Sequence, residues 1–149
     1  MDETAEIESG VQDLYRAFCF DADGMPDWET LRAMSADGAS YFSPYAPGST
    51  PQGVGLDRFL GDFRSFIEDS PLGRTGYHER VIHARIDRFG SVAHAYVTFE
   101  GFVPGEPADR VGLDSIQFLA SPTGWQVASF STQYEGEGLP LPDRFRPER

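Results

Sequence analysis

The sequence predicts an α+β fold, with helices packed on one face of a curved antiparallel sheet. Two observations carry this. From Tyr77 to Tyr134 apolar and polar residues alternate with period two, and glycine or proline punctuates the gaps. The first half instead spaces its apolar residues for three amphipathic helices. Helices followed by a long antiparallel meander place the helices on one side of the sheet, and such a sheet encloses a pocket. At 149 residues the chain suits one domain, residues 1–135, with a proline-rich tail over 136–149.

The first helix is expected from about Thr4 to Phe20, where Ile7, Val11, Leu14, Tyr15 and Phe18 form one stripe. Ser9 with Gln12 makes a capping-box pattern that offers a later start. A short second helix is capped around Asp27, turns Trp28, Leu31 and Met34 inward, and stops at Ser35–Gly38. Ala39–Ser43 reads as a short strand cut off by Pro44, and Pro44–Gly55 as a loop at the pocket mouth. The third helix places Leu56, Phe59, Leu60, Phe63, Phe66 and Ile67 on one face, and Pro71 with Gly73 closes it. Four strands follow, at Tyr77–Arg88, Val92–Phe102, Val111–Ala120 and Trp125–Tyr134. The tail, with Pro140, Pro142 and Pro147, reads as mobile and free to lie across a partner subunit.

Composition excludes several classes of function. A net charge of −12 repels nucleic-acid backbones and anionic membranes, so neither is an expected partner. No segment approaches the roughly 18 apolar residues of a membrane span. The acidic start, Met-Asp-Glu-Thr-Ala-Glu, lacks the pattern of a signal peptide, and the expected address is cytoplasmic. All 12 basic residues are arginine. A lysine-free chain forms no Schiff base, holds no pyridoxal phosphate as an internal aldimine, and builds no lysine-bearing phosphate loop. The single Cys19 lies between apolar neighbours and reads as a buried structural thiol. The histidines lack the paired placement that a metal site favours, so neither metal nor cofactor is expected.

The order of elements, with a Trp125-Gln126-Val127 ending after Gly112-Leu113-Asp114-Ser115-Ile116-Gln117, resembles the nuclear transport factor 2-like superfamily over roughly residues 5 to 135. That superfamily includes ketosteroid isomerases and polyketide-cyclase-like proteins. The resemblance implies a cone: a strongly bent sheet wrapped around three helices, with a ligand cavity between them. It also implies a homodimer formed through the outer face of the sheet. In ketosteroid isomerase a tyrosine on the first helix and an aspartic acid on a later strand form an oxyanion hole. Tyr15 and Asp114 resemble those two positions. The isomerase's general base ends the first strand just before a proline. Here Ser43 stands there, and serine abstracts no carbon-bound proton without a base to activate it.

The residues themselves partly agree. Tyr15 lies on the buried stripe of its helix, and Asp114 shares a strand face with Ile116 and Phe118. A carboxylate on an apolar face is costly unless paired or protonated, and burial raises its pKa. The plainer reading keeps the Tyr15 ring in the core and gives Asp114 structural hydrogen bonds. His78 shares parity with Ile82, Ala84 and Ile86, which turns it toward the pocket rim as the candidate replacement base. His83, with Glu79 and Arg85, takes the opposite parity and faces out. His94, Tyr96, Thr98 and Glu100 form a polar, ring-rich face that reads as a dimer interface. Phe18, Trp28, Tyr41, Ser43, Phe59, Phe63 and Ile116 are the expected pocket lining. The leading expectation is a binding domain for a small hydrophobic or aromatic molecule. The alternatives are an isomerase, cyclase or dehydratase that uses Tyr15, Asp114 and His78, and a non-catalytic assembly subunit.

Overall fold

The computed structural model describes residues 3–44 and 48–148. Part of the loop expected over Pro44–Gly55 and the last residue of the tail lie outside these.

Helix α1 (Ala5–Phe18) buries Ile7, Val11, Leu14, Tyr15 and Phe18, the predicted stripe. Each such side chain contributes about 1.5–3 kcal/mol when fully buried. The helix stops two residues short of the expected end. Cys19 turns extended, and Phe20–Asp21 (β1) pairs with Gly76 and Tyr77 at the start of the first long strand. Phe20, Ile67 and Tyr77 bury one another as a small second core. Asp27 caps α2 (Trp28–Ala33), its carboxylate accepting from the Thr30 N–H at 3.1 Å and the Thr30 hydroxyl at 2.7 Å.

Strand β2 (Ser35–Phe42) begins where a turn was expected, because Ser35 already pairs with Val127. Gly38, at φ 81°, carries the chain through a register interruption between Ser35 and Ser40. Two further elements escape the sequence pattern, β3 (Gly53–Val54) and the single turn α4 (Leu72–Thr75). Helix α3 (Leu56–Asp69) buries Leu60 and Ile67, while Phe66, expected inward, is exposed.

The long strands are β4 (Gly76–Phe89), β5 (Val92–Phe102), β6 (Arg110–Ser121) and β7 (Gly124–Tyr134). The order across the sheet is β1-β4-β5-β6-β7-β2-β3. The four long strands form an antiparallel meander, but β2 runs parallel to β7, so the curled sheet is mixed. Its inner face, with Ala95, Val97, Phe99, Ile116, Phe118 and Val127, packs against α1 to make the main core.

One irregularity decides which side chains reach that interior. Strand β4 bulges at Ile82, between Val81, which pairs with Phe99, and His83, which pairs with Thr98. A bulge inserts one residue and reverses the parity of everything beyond it. Ala84 and Ile86 face inward on one side of it, opposite Val97 and Ala95. On the other side Glu79 and Val81 face inward, opposite Gly101 and Phe99, and His78 faces out opposite Phe102.

The tail folds back on its own chain. Leu141 and Phe145 are buried, and a 3-10 turn spans Asp143–Phe145. The Thr98 hydroxyl donates to the Phe145 carbonyl at 2.5 Å, and the Phe145 ring lies 4.9 Å from Tyr96. Arg146 holds Glu135 at 2.9 Å, which also accepts from the Leu141 N–H at 2.6 Å. The tail thus covers part of the polar, ring-rich surface that the sequence suggested for a subunit interface.

Candidate functional site

Two glycines on the inner face make room for aromatic rings that border the cavities. Gly112 lies under the rings of Phe99 and Tyr134, and a Cβ there would stand 2.6 Å from Phe99 Cζ. Gly101 lies under the ring of Tyr77, and a Cβ there would come 2.8 Å from it. These rings therefore sit close over the sheet instead of being pushed off it.

Beside them two cavities share a wall. The inner one, about 140 Å³, is lined by Tyr41, Phe99, Asp114, Phe130 and Thr132 among others. The outer one, about 410 Å³, is lined by Phe20, Asp62, Phe66, Leu72, Tyr77 and Arg110 among others. Phe18, Ser43, Phe59, Phe63, Glu79 and Tyr134 line both. The aromatic wall is tightly packed: Tyr41 stacks on Phe59 at 4.2 Å, and Phe18 lies 6.0 Å from Phe63. A more open groove of about 810 Å³ between α1, α2 and the β6–β7 turn includes neither Glu79 nor Asp114.

Asp114 is 1 % exposed and sits at the inner end. One carboxyl oxygen accepts from the Tyr15 hydroxyl, the other from Thr132 Oγ1 at 2.6 Å. Burial, reinforced by the charge of Glu79, pushes its carboxyl well above the usual carboxylate range. Burial and the adjacent Asp114 likewise push Tyr15 up. Tyr15 lines neither cavity and stands behind Asp114, so it positions that carboxyl. Replacing Tyr15 with phenylalanine strips a donor from a buried oxygen. It is expected to cost about 1–3 kcal/mol by urea denaturation, and a loss under about 0.5 kcal/mol would mean that the bond carries no weight.

Glu79 is the functional candidate that parity counting missed. Burial pushes its carboxyl up to about 7, although the nearby Arg110 pulls the other way. The signal lay in Val81-Ile82, two adjacent apolar residues that break the alternation of the strand. His78 is correspondingly displaced from the interior. Its Nε2 meets Asp21 at 2.8 Å on the outer side, and its ring packs on Phe102. Trp28 packs edge-on behind Phe63 at 5.5 Å, and Ile116 is sealed in the core at 0 % exposure, so neither lines the cavities. Ser43 and Tyr41 do reach the cavity walls. Among the described residues no three His, Cys, Asp or Glu side chains cluster as a metal site requires. No helix among them is long and apolar enough to cross a membrane.

No family model matches the chain, and no curated protein does. Solved structures match over nearly its whole length. A nuclear transport factor 2-like protein of unknown function from Pseudomonas putida superposes with a TM-score of 0.68 at 14% identity, covering 96% of this chain and 97% of that one. This is a nuclear transport factor 2-like fold. A cystatin-like protein of unknown function from Nostoc punctiforme superposes at 0.69 and 11% identity, covering 89% and 91%. A protein provisionally assigned as a ketosteroid isomerase, from Parabacteroides distasonis, superposes at 0.61 and 13% identity, covering 89% of each chain. The nuclear transport factor 2-like fold leaves the ligand to be argued from the side chains.

Proposed function

We propose that this protein binds a small, mostly apolar molecule bearing a carbonyl or hydroxyl oxygen, and that Glu79 and Asp114 move a proton on it. One observation carries the reading: Glu79, its pKa pushed up to about 7, and the buried Asp114 face the same aromatic-walled cavity. A base poised near the operating pH combines ionised population with driving force. Asp114, held neutral by burial, keeps its bonds to Tyr15 and Thr132 and has a further oxygen lone-pair direction and an acid proton to offer.

In the proposed step the Glu79 carboxylate takes a proton from carbon adjacent to a carbonyl. The C–H electron pair moves into the new C=C bond, and the carbonyl oxygen gains the negative charge. Asp114 stabilises that oxygen by donating a hydrogen bond. Return of the proton from Glu79 to a different carbon completes an isomerisation, and departure of a leaving group completes an elimination. The provisional isomerase among the structural neighbours is compatible with such chemistry.

The test uses 2-tetralone, a flat apolar ketone, with proton exchange into heavy water followed by NMR. The wild type is expected to accelerate exchange beside the carbonyl, Glu79→Gln to lose about a hundredfold or more, and Asp114→Asn a smaller factor. Binding without accelerated exchange would replace the catalytic reading with a purely binding one. That second reading draws support from Asp114, both of whose oxygens already accept hydrogen bonds within the protein. Absence of both binding and exchange would overturn the pocket reading. The two open cavities remove the support that a fully packed cone would lend to an assembly subunit.

A further inference from the structure

Arg110 opens β6 at the mouth of the outer cavity, opposite Gly101. Its guanidinium lies 4.8 Å from the centre of the Tyr134 ring and 5.6 Å from that of Tyr77. Contact of this kind over two aromatic faces holds the guanidinium in place without using its N–H donors. Among the described residues no carboxylate closes an ion pair with it. The acids around it are otherwise engaged: Asp109 accepts from the Tyr77 hydroxyl at 2.5 Å, and Asp62 pairs with Arg58 at 3.1 Å. Glu79 feels the charge of Arg110 but makes no salt bridge to it. In a chain of net charge −12, an oriented guanidinium without an ion pair at a pocket entrance stands out as a receptor for an anion.

We infer that the ligand carries a carboxylate, gripped by Arg110 at the cavity mouth while its apolar body lies against Phe18, Phe59 and Phe63. This rests on the preceding reading of the pocket and narrows it to acids whose reacting atoms extend inward toward Glu79. A planar fork suits a planar carboxylate bidentately. The tyrosine rings on either side hold the fork before the ligand arrives, which reduces the ordering cost of binding.

The test compares 2-naphthoate with 2-naphthamide, the same shape with and without charge, by titration calorimetry at fixed low salt. The wild type is expected to prefer the acid by about tenfold or more. Arg110→Met is expected to abolish that preference while leaving amide affinity within about twofold, and the retained amide binding shows that the variant is folded. Arg110→Lys is expected to keep part of the preference, since it restores charge without the planar fork. Equal affinity of the wild type for acid and amide would overturn the inference and leave the pocket reading intact. So would equal weakening of both probes in Arg110→Met. If neither probe binds and 2-tetralone does not exchange, the pocket reading itself fails and this inference with it.

Discussion

Raising the pH from about 5 to 8 is expected to destabilise the protein, and Glu79→Gln is expected to reduce that loss by about 2.5 kcal/mol. The sign follows from the direction of the shift. In the unfolded chain Glu79 loses its proton near 4.5, the ordinary glutamate value, whereas in the fold it holds it to about 7. Between those values the folded state binds a proton that the unfolded state has released, so stability falls as pH rises. Each unit of difference is about 1.4 kcal/mol, which sets the size of the effect. Asp114, also shifted upward mainly by burial, adds a contribution of the same sign; the glutamine variant keeps its burial part and loses the part owed to the Glu79 charge. Urea denaturation across this range measures the effect as a difference between wild type and variant, which cancels the background of other carboxylates. Near pH 5 the two are expected to be about equally stable, and at pH 8 the variant is expected to be the more stable. Parallel profiles would mean that Glu79 is solvated as an ordinary surface acid.

Phe99→Ala is expected to cost about 3–5 kcal/mol. Phe99 is 1 % exposed, meets Tyr15 at 6.0 Å and Tyr134 at 6.1 Å, and covers Gly112. It also forms part of the inner cavity wall, so the space it vacates joins a void that already exists. A site held open by a rigid sheet collapses poorly, which places the cost toward the upper end of the range. A ligand too bulky for the native inner chamber should bind this variant better than the wild type. At a hundred times its Kd such a ligand would return about 2.7 kcal/mol of the lost stability. Chemical denaturation with and without ligand measures both effects. A loss below about 1 kcal/mol would show that the surrounding rings close over the gap.

The fold was legible because its strongest signals are local. The stripe Ile7, Val11, Leu14, Tyr15 and Phe18 needs only helical geometry, and the four long strands declare themselves by alternation and by glycine or proline at their ends. What escaped depends on distant partners. Phe20–Asp21 and Gly53–Val54 are too short to carry a period and are strands only because Tyr77 and Tyr41 lie beside them. Ser35 reads as the end of a helix until Val127 arrives to pair with it in parallel. The candidate site was legible in type more than in membership. Asp114 drew notice because an acid stands among apolar neighbours, whereas Arg110 sat just outside its expected strand. The interior place of Glu79 was hidden by a count of residues carried through a bulge.

That bulge has a consequence for how such a pocket can change its chemistry. Glu79 and His78 are neighbours in the chain, and one extra residue at Ile82 determines which of them the cavity sees. Removing that residue would let the neighbouring segment turn over by one position and exchange an acid for an imidazole, with no substitution at either site. In this protein the side chain that faces the cavity is set by the length of a strand as much as by its letters. Gain or loss of a single residue there would exchange the group facing the cavity in one step.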